Sequence, residues 1–342
     1  MTISFNAPAA AAAGNGPAAD AGASSEARET VLSVKGLKKK IRGNWIIHDV
    51  AFDVKAGEIF GFLGPNGSGK TTTIRMLVDL IKPSAGEVLI GGCNVQKDPE
   101  QALRHVGCIV ENPELYPYLT GWENMEHFAR MLPDVGPDRI AEVVDIVRMT
   151  DRIHDKVRTY SLGMRQRLGI GQALLGRPKL LILDEPTNGL DPKGIKELRA
   201  FIRSLAQQGM SLFISSHLLS EIQLMCDRVA IINGGRVLAV GTVNELLEQA
   251  GSYVLWQFDD PAAGRRILER QPQLRMLNED GHRIDEGVLA GIPGAIVTTV
   301  PARSIPGIVK ELAFSGVGVL SVQTVAPTLE ELFLTMTEGN AK

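Results

Sequence analysis

The sequence predicts an α/β protein with a parallel sheet at its centre, and three observations carry this. Short, almost wholly apolar runs, Gly57–Gly64 and Leu180–Leu183, have the texture of strands buried on both faces. Segments with apolar residues at helical spacing alternate with such runs, the pattern of βαβ units. A glycine-rich turn separates the first of these strands from the helix after it. The composition agrees: 44% hydrophobic and 22% charged residues in 342 is ordinary globular usage, which excludes disorder throughout.

Along the chain, residues 1–28 form an Ala/Gly-rich stretch too poor in large apolar side chains to fold, and a disordered tail is expected there. No Lys or Arg precedes Arg28 and no unbroken apolar run follows, so the stretch fails as a secretory signal. VLSV and IIHDVAFDV read as strands, rich in β-branched residues. After the glycine-rich turn, Ile74, Leu77, Val78 and Ile81 predict a helix over 71–81, ended by Lys82-Pro83. GEVLIGG follows as a strand. Thr120 and Glu123 form a capping box opening a helix to about Met131, and 138–149 is helical. A helix over 194–207 leads into the strand SLFISS. VAIINGGRVLAVG is a hairpin with a Gly-Gly turn. A second capping box, Thr242 with Glu245, opens a helix to about Ala250.

The remaining pattern is strand 253–258, helix 261–270, strand 295–300, helix 305–314, strand 318–325 and helix 328–337, capped by Thr328 and Glu331. This predicts a small α+β domain over 244–342 behind a larger one over 29–243, in line with about 150 residues per domain.

Charge and composition remove several classes. A net charge of −3 argues against a free-standing nucleic-acid binder. Three widely spaced cysteines give neither a disulfide framework nor a zinc site. Aromatic residues are only 5%, so an aliphatic core is expected. The most apolar stretches, 287–302 and 312–329, are interrupted by Pro, Gly and polar residues and do not read as spans. The expectation is a cytoplasmic chain that meets a membrane only through a partner.

The chemistry begins at Gly64-Pro65-Asn66-Gly67-Ser68-Gly69-Lys70-Thr71, which matches G-x-x-x-x-G-K-[ST] without a gap. Backbone N–H groups can surround a triphosphate only where no Cβ blocks the approach, hence the glycines. The following helix turns its positive end to the same anion. Lys70 would reach the β- and γ-phosphates, the Thr71 hydroxyl would ligate Mg²⁺, and Thr72 completes the cradle. Downstream, Leu180–Leu183 ends in Asp184-Glu185. An acid at a strand tip beside the phosphate loop suits Mg²⁺, and that is Asp184. Side chains alternate along a strand, so Glu185 points elsewhere and can act on the attacking water.

Further motifs surround the acidic strand: Tyr160-Ser161-Leu162-Gly163-Met164 before it, Thr187-Asn188-Gly189-Leu190-Asp191 after it, and Ser215-Ser216-His217 at the end of the next strand. In this order, from about Thr30 to Val243, the chain resembles the nucleotide-binding subunits of ATP-binding cassette (ABC) transporters. The resemblance implies a P-loop NTPase cassette: a RecA-like parallel core with an antiparallel β subdomain and a helical subdomain, binding ATP and Mg²⁺. It implies that Ser161 and Gly163 are the signature residues that press on the γ-phosphate of a second subunit. Two subunits would then sandwich two ATP molecules head to tail, a homodimer in the simplest case. Asp191 matches the dimer-contact aspartate and His217 the switch histidine. The cassette would drive separate transmembrane permease subunits from the inner face of the membrane.

Departures from the common pattern refine the likeness. The signature reads Tyr-Ser-Leu-Gly-Met, and the usual glutamine of the Q-loop is replaced by Glu111, which can still ligate Mg²⁺ while adding negative charge. The adenine-stacking position near residue 41 holds Ile41, which stacks more weakly than a ring. Glu111 to Thr120 resembles the exporter branch that includes bacitracin- and lantibiotic-resistance ATPases, in which this loop meets the permease. Tyr116, Tyr118 and Trp122 are expected as exposed aromatics there. The rival reading is a soluble cassette ATPase acting on ribosomes or nucleic acid. The ribosomal kind carries two cassettes in one chain. The chromosomal kind splits its cassette with a long coiled coil, whereas about 90 residues separate Lys70 from Ser161 here.

Overall fold

The computed structural model describes residues 28–250, 252–277, 295–325 and 328–338, so all but Arg28 of the expected tail lies outside the described residues. The N-terminal half builds one edge of a large sheet. Strand β1 (Thr30–Ile41) turns through Arg42-Gly43 into β2 (Asn44–Lys55), and β4 (Ala85–Ile90) and the short β5 (Cys93–Asn94) continue the antiparallel ladder. The alternation Leu32, Val34 and Val50, Phe52, Val54 buries one face of this ladder.

The other half is parallel. It comprises β3 (Ile59–Leu63), β6 (Val106–Ile109), β7 (Leu180–Asp184) and β8 (Ser211–Ser216), with β9 (Arg228–Asn233) beside β3. Every residue of β3, β7 and β8 is buried; the apolar runs of β3 and β7 predict this, whereas β8 buries Ser211, Ser215 and Ser216 beside its apolar centre. Strand β10 (Arg236–Thr242) returns from β9 through Gly234-Gly235, both at positive φ, and its other edge meets β2. The sheet order is therefore β5-β4-β1-β2-β10-β9-β3-β8-β7-β6.

Helix α1 (Lys70–Leu77) packs between the two halves, with Ile74, Met76 and Leu77 fully buried. It is shorter than the predicted 71–81, because Asp79 adopts a left-handed φ of 55° just past the helix end, a conformation Asp tolerates. Beside α1, Phe52, Phe60, Phe62 and Phe213 stack with ring centroids 5.3–6.0 Å apart. The core is thus aliphatic around a phenylalanine centre, rather than aliphatic throughout.

The opposite face carries α3 (Gly121–Ala129), α4 (Pro137–Ile146), α5 (Leu162–Leu174) and α6 (Pro192–Gln207). Both bonds of the Thr120–Glu123 capping box form, as do those of Thr242–Glu245 and Thr328–Glu331. The short α2 (Pro99–Leu103), β6 and α7 (Leu219–Gln223) and the whole of α5 carried no clear sequence signal. In α5, Gly169 and Gly171 weaken the helical pattern by about 1 kcal/mol each. A Cβ on Gly169 would lie 2.5 Å from the Pro113 ring, so the glycine is there for close packing.

Beyond α8 (Val243–Ala250) a second sheet forms, in the order β12 (Arg275–Met276), β13 (Ile296–Thr299), β11 (Tyr253–Phe258), β14 (Val319–Val325). Helices α9 (Pro261–Leu268) and α10 (Ile305–Phe314) cover its Trp256 face. The last helix, α11 (Leu329–Glu338), leaves this sheet and docks between α7 and α8, where Leu329 and Leu332 join the core of Ile222, Met225 and Leu246. Leu329→Ala is expected to cost about 3 kcal/mol, since it opens a cavity at a fully buried position. Urea unfolding reads this directly, and a loss below 1 kcal/mol contradicts the docking.

Candidate functional site

The phosphate-loop sequence lies between β3 and α1, as its position after a buried strand requires. Gly67 and Gly69 sit at φ 82° and 106°, left-handed values that L side chains resist. Lys70 is 6% exposed and its Nζ donates to the carbonyls of Gly64 (2.7 Å) and Pro65 (3.3 Å). The same Nζ lies 3.1 Å from Glu185 Oε1. Glu185 Oε2 lies 2.7 Å from His217 Nδ1 and accepts from the His217 backbone N–H at 3.3 Å. One carboxylate therefore joins the lysine of the loop to the histidine after β8. These groups line an open cleft of about 440 Å³, together with Asn66, Gly67, Gly69, Thr71, Thr72, Asn188 and Ile46.

The two acids at the tip of β7 diverge, because the strand ends at Asp184 and Glu185 leaves it in a left-handed conformation. Glu185 turns left-handed at φ 49° and faces the cleft. Asp184 stays buried at 2% exposure; its Oδ1 accepts from the Ser215 hydroxyl, and its Oδ2 is buried with no hydrogen-bond partner among the described residues. The Cys108 thiol nearby is pushed up to about 12 by burial and by the Asp184 carboxylate, so it is a neutral neighbour at ordinary pH. The buried, unpartnered Oδ2 and the Thr71 hydroxyl are hard oxygen donors that fit Mg²⁺. Among the described residues no group of three or more His, Cys, Asp or Glu is placed to cage a metal. Mg²⁺ is usually held by one or two protein oxygens together with substrate phosphates.

Three expected site residues lie elsewhere. Ser161 caps α5, accepting from Met164 N–H, and Asp191 caps α6, accepting from Gly194 N–H at 2.8 Å. With Gly163 they line a second cleft of about 440 Å³, whose lining shares no residue with the first. Within one chain, then, the signature residues and the phosphate loop are apart.

Two other expected site residues are not among those lining the first cleft. Glu111 does not line the phosphate cleft; it is exposed and paired with Arg75 at 2.6 Å, a partner that its charge finds at the surface. Ile41 also lies outside the cleft lining, at the tip of the β1–β2 hairpin and 41% exposed, whereas Ile46 lines it. Of the aromatic trio, Tyr116 and Tyr118 are exposed, whereas Trp122 packs on the core and against the His154 ring. Sequence reasoning missed Ile46 and Asn188 as cleft groups, and the buried Ser215 hydroxyl beneath the acidic tip of β7. The last follows only from the β7–β8 register, in which Asp184 pairs with Ser215.

Known proteins can be set beside this geometry. A family model described as ABC transporter matches residues 47–188. YhcH of Bacillus subtilis, an uncharacterised ABC transporter ATP-binding protein, is 45% identical over 311 residues, 90% of this chain and 96% of the relative. The bacitracin transport ATP-binding protein BcrA of Bacillus licheniformis is 45% identical over 242 residues, 70% of this chain and 79% of its own. A solved ATP-binding subunit of an ABC transporter superposes with a TM-score of 0.58 at 32% identity, covering 65% of this chain and 93% of that one. With a relative matched at this identity over nine-tenths of its length, the chain belongs to the ATP-binding subunits of ABC transporters, the ATPases that act with transmembrane partners.

Proposed function

We propose that the protein is the ATP-driven motor of an exporter in the branch of the bacitracin and lantibiotic transport ATPases, acting as a head-to-tail pair beneath separate permease subunits. The observation that carries the pairing is the separation of the clefts: the Ser161–Gly163–Asp191 cleft shares no lining with the Lys70–Glu185–His217 cleft. A signature cleft of one copy facing the phosphate loop of another completes both sites at once, the closed two-fold arrangement such surfaces favour. The relatives BcrA and the lantibiotic transport protein SrtF of Streptococcus pyogenes support export.

In the cleft, Lys70 exchanges its loop carbonyls and Glu185 for the ATP phosphates, and the glycine N–H groups and the start of α1 receive the same charge. Thr71 and Asp184 would hold Mg²⁺, which neutralises the β- and γ-phosphate charge when bound. Glu185, released from Lys70, orients the attacking water and takes its proton, and His217 holds the Glu185 carboxylate in place. ATP favours the closed pair because only that state completes its contacts, and hydrolysis removes the preference.

The boundaries follow from the same reading: a cassette over 29–243 and an accessory unit over 244–342. Among the described residues no helix is long and apolar enough to cross a membrane. On this reading the chain sits on the inner membrane face, held by its permease, and takes no nucleic-acid partner. The test is to express tagged Glu185→Gln protein, add ATP and Mg²⁺, solubilise membranes gently and identify what co-purifies. A stoichiometric multi-pass membrane protein is expected; ribosomes or nucleic acid in its place overturn the proposal.

A further inference from the structure

We propose that Ser215 is a positioning residue: its single hydroxyl selects which oxygen of Asp184 is presented to Mg²⁺ and pins the backbone turn that aims Glu185. The inference rests on the metal and base roles proposed above for Asp184 and Glu185.

Ser215 is fully buried, so no solvent competes for its hydroxyl. Its Oγ accepts from the Glu185 backbone N–H at 3.0 Å. A hydroxyl has one proton, and with that N–H approaching the oxygen its own proton is directed to Asp184 Oδ1. Oδ1 is thereby engaged, and Oδ2 is the carboxylate oxygen left buried and unpartnered. A free carboxylate would present either oxygen; this one is held in one rotation, with only Oδ2 left unpaired.

The same contact bears on Glu185. Its φ of 49° is a left-handed value that a non-glycine residue adopts at a cost of about 1–3 kcal/mol, sustained only where surrounding contacts hold it. The bond from its N–H to Ser215 is such a contact, made just past the end of β7. The parallel register that pairs Ser215 with Asp184 puts the hydroxyl within reach of both consecutive acids. One side chain on β8 thus sets the metal oxygen and the base together.

The test uses the full-length protein and three variants: Ser215→Ala, Ser215→Cys and Asp184→Asn. Binding of a non-hydrolysable ATP analogue is measured in EDTA and across a magnesium titration, beside steady-state ATP hydrolysis. Cysteine keeps the volume but bonds weakly, so it separates hydrogen bonding from packing and carries the test should the alanine variant fold poorly. Both Ser215 variants are expected to bind as wild type in EDTA. They should need about tenfold more Mg²⁺ for half-maximal binding and lose at least about tenfold in kcat, with KM for ATP within about threefold.

A cysteine variant indistinguishable from wild type would show that Ser215 only fills space, and overturns the proposal. So does an equal loss of affinity with and without Mg²⁺. Asp184→Asn separates the two levels. If it raises the Mg²⁺ requirement while the Ser215 variants do not, the positioning role alone fails. If it leaves the requirement unchanged, the metal reading fails and the positioning role with it.

Discussion

A Glu185→Gln protein is expected to bind ATP at least as well as wild type and to hydrolyse it about 10²–10⁴ times more slowly, the range for loss of a positioned general base. The carboxylate is the only group that touches both Lys70 and His217 among the described contacts of the cleft, at 3.1 and 2.7 Å. An amide keeps that shape and drops the charge. It cannot take a proton from water, so turnover falls. It also no longer holds Lys70 as an ion pair, so the ammonium is freer to meet phosphate and affinity does not fall. Steady-state hydrolysis and equilibrium ATP binding on the same preparation check both halves. Turnover within threefold of wild type would remove Glu185 from the base role.

Lys70→Ala should instead lose nucleotide. Two charge-assisted bonds to phosphate, each about 1.5–3 kcal/mol, correspond to a fall in ATP affinity of about 10²–10⁴. A second effect adds to it. Without the ammonium, the Glu185 carboxylate faces the incoming polyanion with no lysine to offset it, and like charges in a partly buried cleft repel strongly. The Lys70→Ala, Glu185→Gln double variant is therefore expected to recover part of the lost affinity, a non-additivity that a double-mutant cycle measures. Titration calorimetry is the measurement, with circular dichroism to confirm folding. Retained micromolar affinity in the single variant contradicts the cradle role of Lys70.

Most elements that build the phosphate cleft were legible because their signals are local. The run Ile59–Leu63 is apolar on both faces, the phosphate loop has a fixed glycine spacing, and three capping boxes need only residues three apart in sequence. Where the signal was weak, a long-range contact had replaced it. Helix α5 carries glycines that lower its propensity because Pro113 packs against one of them. The end of α1 came early because Asp79 could turn left-handed, which periodicity does not register. The expectations for Glu111 and Ile41 were positional inferences from a resemblance. The structure gives Glu111 a nearby arginine and lines the cleft with Ile46.

The sequence by itself determined the α/β class, the order of the strands and helices that carry the site, and the chemistry of the phosphate loop and the acidic strand tip. These depend on periodicity, capping and side-chain type, which act over a few residues. Only the tertiary structure decided that Glu185 bridges Lys70 and His217, that Ser215 bonds both Asp184 and Glu185, that the signature residues line a separate cleft, and that α11 docks back between α7 and α8. Each of these joins residues about 30 to 115 positions apart through strand register or helix docking, and register between distant strands is set by packing of the whole sheet rather than by any local run.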